Sequence, residues 1–194
     1  MKRLALYLVS LFLVVMATGC AHPISLAPNV SAALEQVKVE KIPKKIGYYI
    51  SPEDRTREVI TPGGGGDKVS YLPYRDLETG LYVVLGQSFS EVSRIEKLGS
   101  PKAAEQQLII KPTITTTSYS DSLVTWPPTV FTVQLTLAVE DSSGKPVTQI
   151  SAQGEGRAEF AEFKGDFSLA ARRATENMLV KLKAAIAAAA DKLR

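Results

Sequence analysis

The stretch Val130-Phe131-Thr132-Val133-Gln134-Leu135-Thr136-Leu137-Ala138-Val139-Glu140 decides the fold class. Phe131, Val133, Leu135, Leu137 and Val139 share one parity, while Thr132, Gln134, Thr136 and Glu140 take the other. That period of two marks a strand with one face on a core and one in water. Asp141-Ser142-Ser143-Gly144-Lys145 follows as a hairpin connection with glycine at its end. Pro146 to Phe160 alternates again, with Ile150, Ala152, Gly154, Gly156 and Ala158 on one face. Residues this small leave room for a helix to lie close over the strand.

Working outward, Leu108 to Ser120 opens with Leu108-Ile109-Ile110 and continues as a threonine-rich strand. Before it, Leu77, Leu81, Val84, Leu85, Phe89, Val92 and Ile95 recur at helical spacing. This predicts one helix with Asp76 as N-cap, ended by Leu98-Gly99-Ser100-Pro101. A second long helix begins at Asp166 or Ser168, with Ala171, Thr175, Met178, Leu179, Leu182, Ile186, Ala189 and Leu193 as its stripe. Its alanine run at 184–190 buries little area, so the last turns are expected to project or to find a partner. Ile42, Ile46, Tyr48 and Ile50 form a first strand, read as a lysine-bearing edge. Ser51 to Lys68 reads as a polar loop. Its four glycines, Gly63 to Gly66, lack the spacing and the helix of a phosphate-binding loop. The order β, loop, α, β, β, β, α implies an α+β fold. A two-layer sandwich is expected, with a mainly antiparallel sheet and two helices on one face.

The 194 residues are 45% hydrophobic and 22% charged, which suits one globular domain. Residues 1–19 read as a signal peptide. Lys2 and Arg3 precede the apolar run Leu4 to Met16, too short for a membrane span of roughly 20 residues. Removing these residues leaves 21 Lys+Arg against 20 Asp+Glu, so the basic balance of the whole chain disappears. No nucleic-acid partner is expected. Ala17-Thr18-Gly19-Cys20 is similar to a lipobox, the site at which bacterial lipoproteins are acylated on the cysteine and cleaved before it. Cys20 is the single cysteine of the chain, and acylation accounts for it. Membrane attachment through a lipid on Cys20 is the expectation. Ala21 stands where enteric lipoproteins retained at the inner membrane have Asp, so the resemblance implies the outer membrane, on its periplasmic face. Residues 20–36 read as a lipidated tether and 37–194 as the periplasmic domain.

The chain has one histidine, His22, two residues from the anchor. No histidine triad or multi-histidine metal centre can be assembled from it. The carboxylates Glu53, Asp54, Glu58, Asp67, Glu155, Glu159, Glu162 and Asp166 lack metal-loop spacing and read as solvated faces. The expectation is a non-enzyme without cofactor or metal. Two clusters remain. Lys38, Lys41, Lys44 and Lys45 suit anionic lipid head groups, although Glu35 and Glu40 interleave with them, which favours a plain solvated edge. Tyr119 and Trp126, beside Pro127-Pro128, suit a partner-binding anchor or a cover for one end of the core. The flat threonine strand Thr113, Thr115, Thr116 and Thr117 next to them suits strand addition by a partner or a second copy.

Tyr71-Leu72-Pro73-Tyr74-Arg75-Asp76-Leu77, together with the lipobox and the element order, resembles the YajG family of bacterial lipoproteins. That family opens its first helix with a similar Pro-x-Arg-Asp-Leu run. The architecture is also similar to lipopolysaccharide-assembly lipoproteins and to the auxiliary lipoproteins of lipid-transport ABC systems. The resemblance implies an outer-membrane accessory lipoprotein that binds a protein partner in envelope assembly or transport, and homo-oligomerisation through the threonine edge is one version of that binding. The alternative is a lipid- or glycan-binding periplasmic module. The family supplies no catalytic residues to carry over.

Overall fold

The computed structural model describes residues 21–30, 34, 38–62, 68–120 and 129–194. Cys20, Trp126, the Gly63–Gly66 run and the signal peptide lie outside them. Eight strands are described: β1 Ala21–Pro23, β2 Ile42–Tyr49, β3 Val59–Pro62, β4 Lys68–Tyr71, β5 Phe89–Ile95, β6 Leu108–Tyr119, β7 Val130–Asp141 and β8 Pro146–Arg157. The helices are α1 Pro52–Thr56, α2 Pro73–Ser88, α3 Pro101–Ala104, α4 Phe160–Phe163, α5 Leu169–Ala188 and α6 Ala190–Leu193.

The strands make two mixed sheets, of order β5-β2-β6-β7-β8 and β1-β4-β3. β6, β7 and β8 are antiparallel throughout. β2, however, runs parallel to both β5 and β6, and β1 runs parallel to β4. The expected mainly antiparallel sheet is therefore corrected to a mixed one. β2 is also an interior strand, not an edge.

The apolar parity of β7 is wholly buried, with Phe131, Val133, Leu135 and Leu137 at 0% exposure. α5 lies over β7 and β8. A Cβ on Gly154 would collide with the Ala174 carbonyl and the Met178 amide, and one on Gly156 with the Ala170 carbonyl and the Ala174 amide. The small residues of β8 therefore do what their pattern predicts, since they let a helix backbone rest on the strand. α2 touches α5 and joins the same core. Ile95, Ala103 and Ile109 form a second cluster on the opposite face, where α3 packs, so helices do not occupy one face alone. Gly144 takes a φ of +84° in the β7–β8 turn, which only glycine adopts without strain. Asp141 Oδ1 accepts the Ser143 N–H (2.8 Å) and the Lys145 N–H (3.1 Å) in that turn.

Four further expectations change. α2 ends at Ser88, and the helically spaced Phe89, Val92 and Ile95 belong to strand β5. Apolar residues three apart satisfy a helix stripe, but the backbone of β2 offers a parallel partner to this segment, and tertiary pairing overrides local period. Pro73 is the first residue of α2, and Asp76 sits in its first turn, not at the cap. Within the polar loop 51–68, Ser51 caps α1, and β3 pairs with β4. The C-terminal turns fold back, with Leu193 of α6 at 2% exposure against β2 and β8.

The segment after residue 20, expected to be a loose tether, is packed. Leu26 and Leu34 are 0% and 1% exposed, and β1 pairs with β4. Asp76 Oδ2 accepts the Leu26 N–H at 3.0 Å, and Glu176 Oε1 accepts the Asn29 N–H at 2.9 Å. The segment thus lies along the seam between α2 and α5. Lys183 on α5 is buried and donates to the Leu34 carbonyl (2.9 Å) and to Gln87 Oε1 (2.6 Å). Burial lowers the pKa of its ammonium.

Candidate functional site

The parallel half of the molecule carries a partly buried polar cluster. Tyr48 on β2 and Arg94 on β5 are register partners, so both meet α2 at one level. On α2, Arg75, Glu78 and Tyr82 are spaced three and four apart and share a face. Tyr48 Oη donates to Glu78 Oε1 at 3.0 Å, Arg94 Nε lies 3.7 Å from the same oxygen, and Arg55 of α1 donates to Glu78 Oε2. The rings of Tyr48 and Tyr82 are 6.3 Å apart. Tyr48, Arg75, Glu78, Thr79, Tyr82 and Arg94 line an open cleft.

The electrostatics of the cluster follow from this packing. Burial alone would raise the Glu78 carboxyl, but hydrogen bonds from Arg55 and Tyr48 and the charges of Arg55 and Arg94 outweigh it and hold the pKa low. Burial, then the charge and hydrogen bond of Glu78, push the Tyr48 phenol up to about 12. A carboxylate so held is ionised at neutral pH, which does not suit a general acid. Its visible work is to tie α1, α2, β2 and β5 together. Sequence reading missed this cluster because its members are scattered. The available signals were a tyrosine on the apolar parity of β2 and a glutamate next to the apolar stripe of α2.

The residues singled out from sequence fare differently. Lys38 and Lys41 precede β2, and Lys44 and Lys45 lie within it. Lys45 pairs with Glu91 at 3.0 Å, and Glu40 lies 3.9 Å from Arg194. Tyr119 is 48% exposed at the end of β6, and its expected companion Trp126 lies outside the described residues, as does Cys20. β6 lies inside the sheet, with β7 along one edge and β2 on part of the other. β2 pairs with Leu108–Ile110. Beyond it the Ile114 N–H donates to Tyr74 Oη (3.2 Å), Tyr71 Oη meets Thr116 Oγ1 (2.7 Å), and Thr61 Oγ1 meets Ser118 Oγ (2.5 Å). Thr113, Thr115 and Thr117 instead lie on the exposed face of the sheet, opposite Thr136, Gln134 and Thr132 of β7.

Several of the carboxylates are paired: Asp54 with Arg57, Glu155 with Arg157, Glu162 with Arg173 and Asp166 with Arg172. Hydrogen bonds from Arg173 and the Glu159 amide bring Glu162 to about 2. Among the described residues, no three histidine, cysteine or carboxylate side chains are grouped to hold a metal ion, and no helix is long and apolar enough to cross a membrane.

The described residues thus define a mixed α+β protein with a five-stranded and a three-stranded sheet. No family model matches the chain, and no curated protein matches it. Among solved structures it is similar to protein XCC0632 from Xanthomonas campestris, of the family DUF330. The two share 12% identity at a TM-score of 0.49, over 92% of this chain and 100% of that one.

Proposed function

We propose that this chain is a YajG-like envelope lipoprotein. In this reading it is acylated on Cys20, held on the periplasmic side of the outer membrane, and binds a protein partner in envelope assembly or transport without catalysis. The observation that carries the binding role is the outer face of β6, β7 and β8. Thr115, Gln134 and Gln153 form one rung of it, and Thr113, Thr136 and Ser151 another. Most of these side chains are exposed, and none is charged. A face that is polar and uncharged at its centre, with Lys111 on the rung to one side and Glu155 on the rung to the other, suits contact with another protein surface. The same sheet's inner face is filled by α5 down to backbone contact at Gly154 and Gly156, which gives less support to a lipid held between sheet and helices.

Two measurements test the proposal. Cys20→Ala should abolish fatty-acid labelling and release the protein from membranes. A photo-crosslinking residue at Thr115 or Gln134 in cells should give a discrete protein adduct that one at Tyr82 does not. An adduct of twice the chain's mass would identify the partner as a second copy. No adduct, or the same adduct from Tyr82, would reject this face as the binding surface.

A further inference from the structure

Three separate parts of the chain meet at one end of the molecule. In the large sheet, Tyr119, Val130 and Arg157 lie opposite one another on the final rung. Phe160 follows three residues later. Its ring stands edge-on to Phe163 at 5.1 Å, and Phe167 lies 6.5 Å from Phe163. In the small sheet, Pro62, Lys68 and Ala21 form a rung. Ser118 Oγ donates to the Pro62 carbonyl at 3.1 Å, which sets this rung beside the end of β6. The Ser25 N–H donates to Ser168 Oγ at 2.9 Å, which holds the N-terminal segment against the turn that follows Phe167.

This end has the composition of a lipid–water interface. Phe160, Phe167 and Tyr119 are 57%, 45% and 48% exposed, although large rings are ordinarily buried. The Lys164 ammonium sits 5.1 Å over the Phe160 ring, and Lys68 is exposed beside Ala21. Among the described residues, nearby acids are engaged within the fold. Glu159 and Glu162 close a capping box, Glu162 also pairs with Arg173, and Asp166 pairs with Arg172. Aromatic rings flanked by lysines partition into the head-group region, where the ring is shielded and the ammonium reaches water or phosphate.

We infer that this end of the protein lies directly on the membrane, with Phe160, Phe167 and Tyr119 seated in the head-group layer. The inference rests on acylation of Cys20. Ala21 is held in β1, and one residue spans at most about 3.6 Å, so a lipid on Cys20 leaves the domain no slack to stand away from the bilayer. The lysines at 38–45 are excluded from the same contact. Lys45 precedes the β2 residue paired with Leu108, and Tyr119 lies roughly 36 Å further along β6 at about 3.3 Å per residue.

The test uses the full acylated protein in vesicles of phosphatidylethanolamine and phosphatidylglycerol containing a doxyl-labelled phospholipid. Phe160→Cys, Phe167→Cys and Tyr82→Cys each add a single free thiol, because acylation blocks Cys20. An environment-sensitive fluorophore on positions 160 and 167 should shift to the blue and lose about half its emission to the doxyl lipid, while one on position 82 stays unquenched. Tyr82 is the proper control, being 49% exposed and neighbouring Tyr48, far from the Tyr119 rung. A blue shift without quenching would mean a protein covers the rings, and would overturn the inference. Equal quenching at all three positions would overturn it too. Mass analysis of Cys20 separates the two layers of the argument: an unacylated protein sinks the lipoprotein reading and this one together, whereas acylation without quenching sinks only the membrane contact.

Discussion

The two halves of the large sheet are built by different logic. In the β6–β7–β8 half, each strand pairs with its neighbour in sequence, and α5 covers them directly. In the β5–β2–β6 half, strands from distant parts of the chain run parallel, and α2, α3 and the N-terminal segment complete the packing. Connections between sequential antiparallel strands are short and local, while parallel neighbours require crossovers whose partner the sequence does not name. The first half is held by shape, a helix backbone resting on glycines. The second is held by a seam of polar ties: Leu26 to Asp76, Asn29 to Glu176, Lys183 to Leu34, and Glu78 to Tyr48, Arg55 and Arg94.

The sharpest way to break the antiparallel half is a charge on its inner face. Leu135→Asp should cost about 5 kcal/mol and prevent folding, because an unpaired carboxylate would be buried. Gln134→Asp, one residue away on the outer face, should move the melting temperature by only a few degrees. Equal losses would disprove the assigned faces.

Gly156→Val is next, with an expected loss above about 3 kcal/mol, since the new side chain meets the α5 backbone and not a flexible side chain. Chemical denaturation reads it. A neutral result would mean that α5 stands off the strand.

The third variant moves to the other half. Leu26→Ala should cost about 2.5 kcal/mol although the residue lies only six positions after Cys20, because it is fully buried between the helices. A loose tether would lose nothing, so an unchanged denaturation midpoint would restore that reading.

The smallest effect separates polar from apolar cohesion. Glu78→Gln should cost about 1.5 kcal/mol at neutral pH, through lost charge-assisted hydrogen bonds. The folded carboxyl titrates below its ordinary value of 4.5. Its stabilisation is therefore complete above that pH and disappears as pH falls through the lower folded value. The gap between wild type and Glu78→Gln should accordingly close in acid. A gap that persists would assign the loss to packing.

What the sequence determined by itself was whatever depends on near neighbours. Alternation at 130–140 gave the buried face of β7, Gly154 and Gly156 announced a close helix, and Gly144 marked the turn that needs a positive φ. Only the tertiary structure decided whether Phe89 to Ile95 continued a helix or paired with β2, since apolar residues three apart fit a helix stripe and the strand pairing lies with a partner more than forty residues earlier. It alone drew the N-terminal segment into the seam of α2 and α5, because a groove between two helices exists only after both have packed. The Tyr48–Glu78 cluster and the aromatic end around Phe160 belong to the same class. Their members share no pattern in the sequence, and become a group only when distant strands and helices bring them to one level.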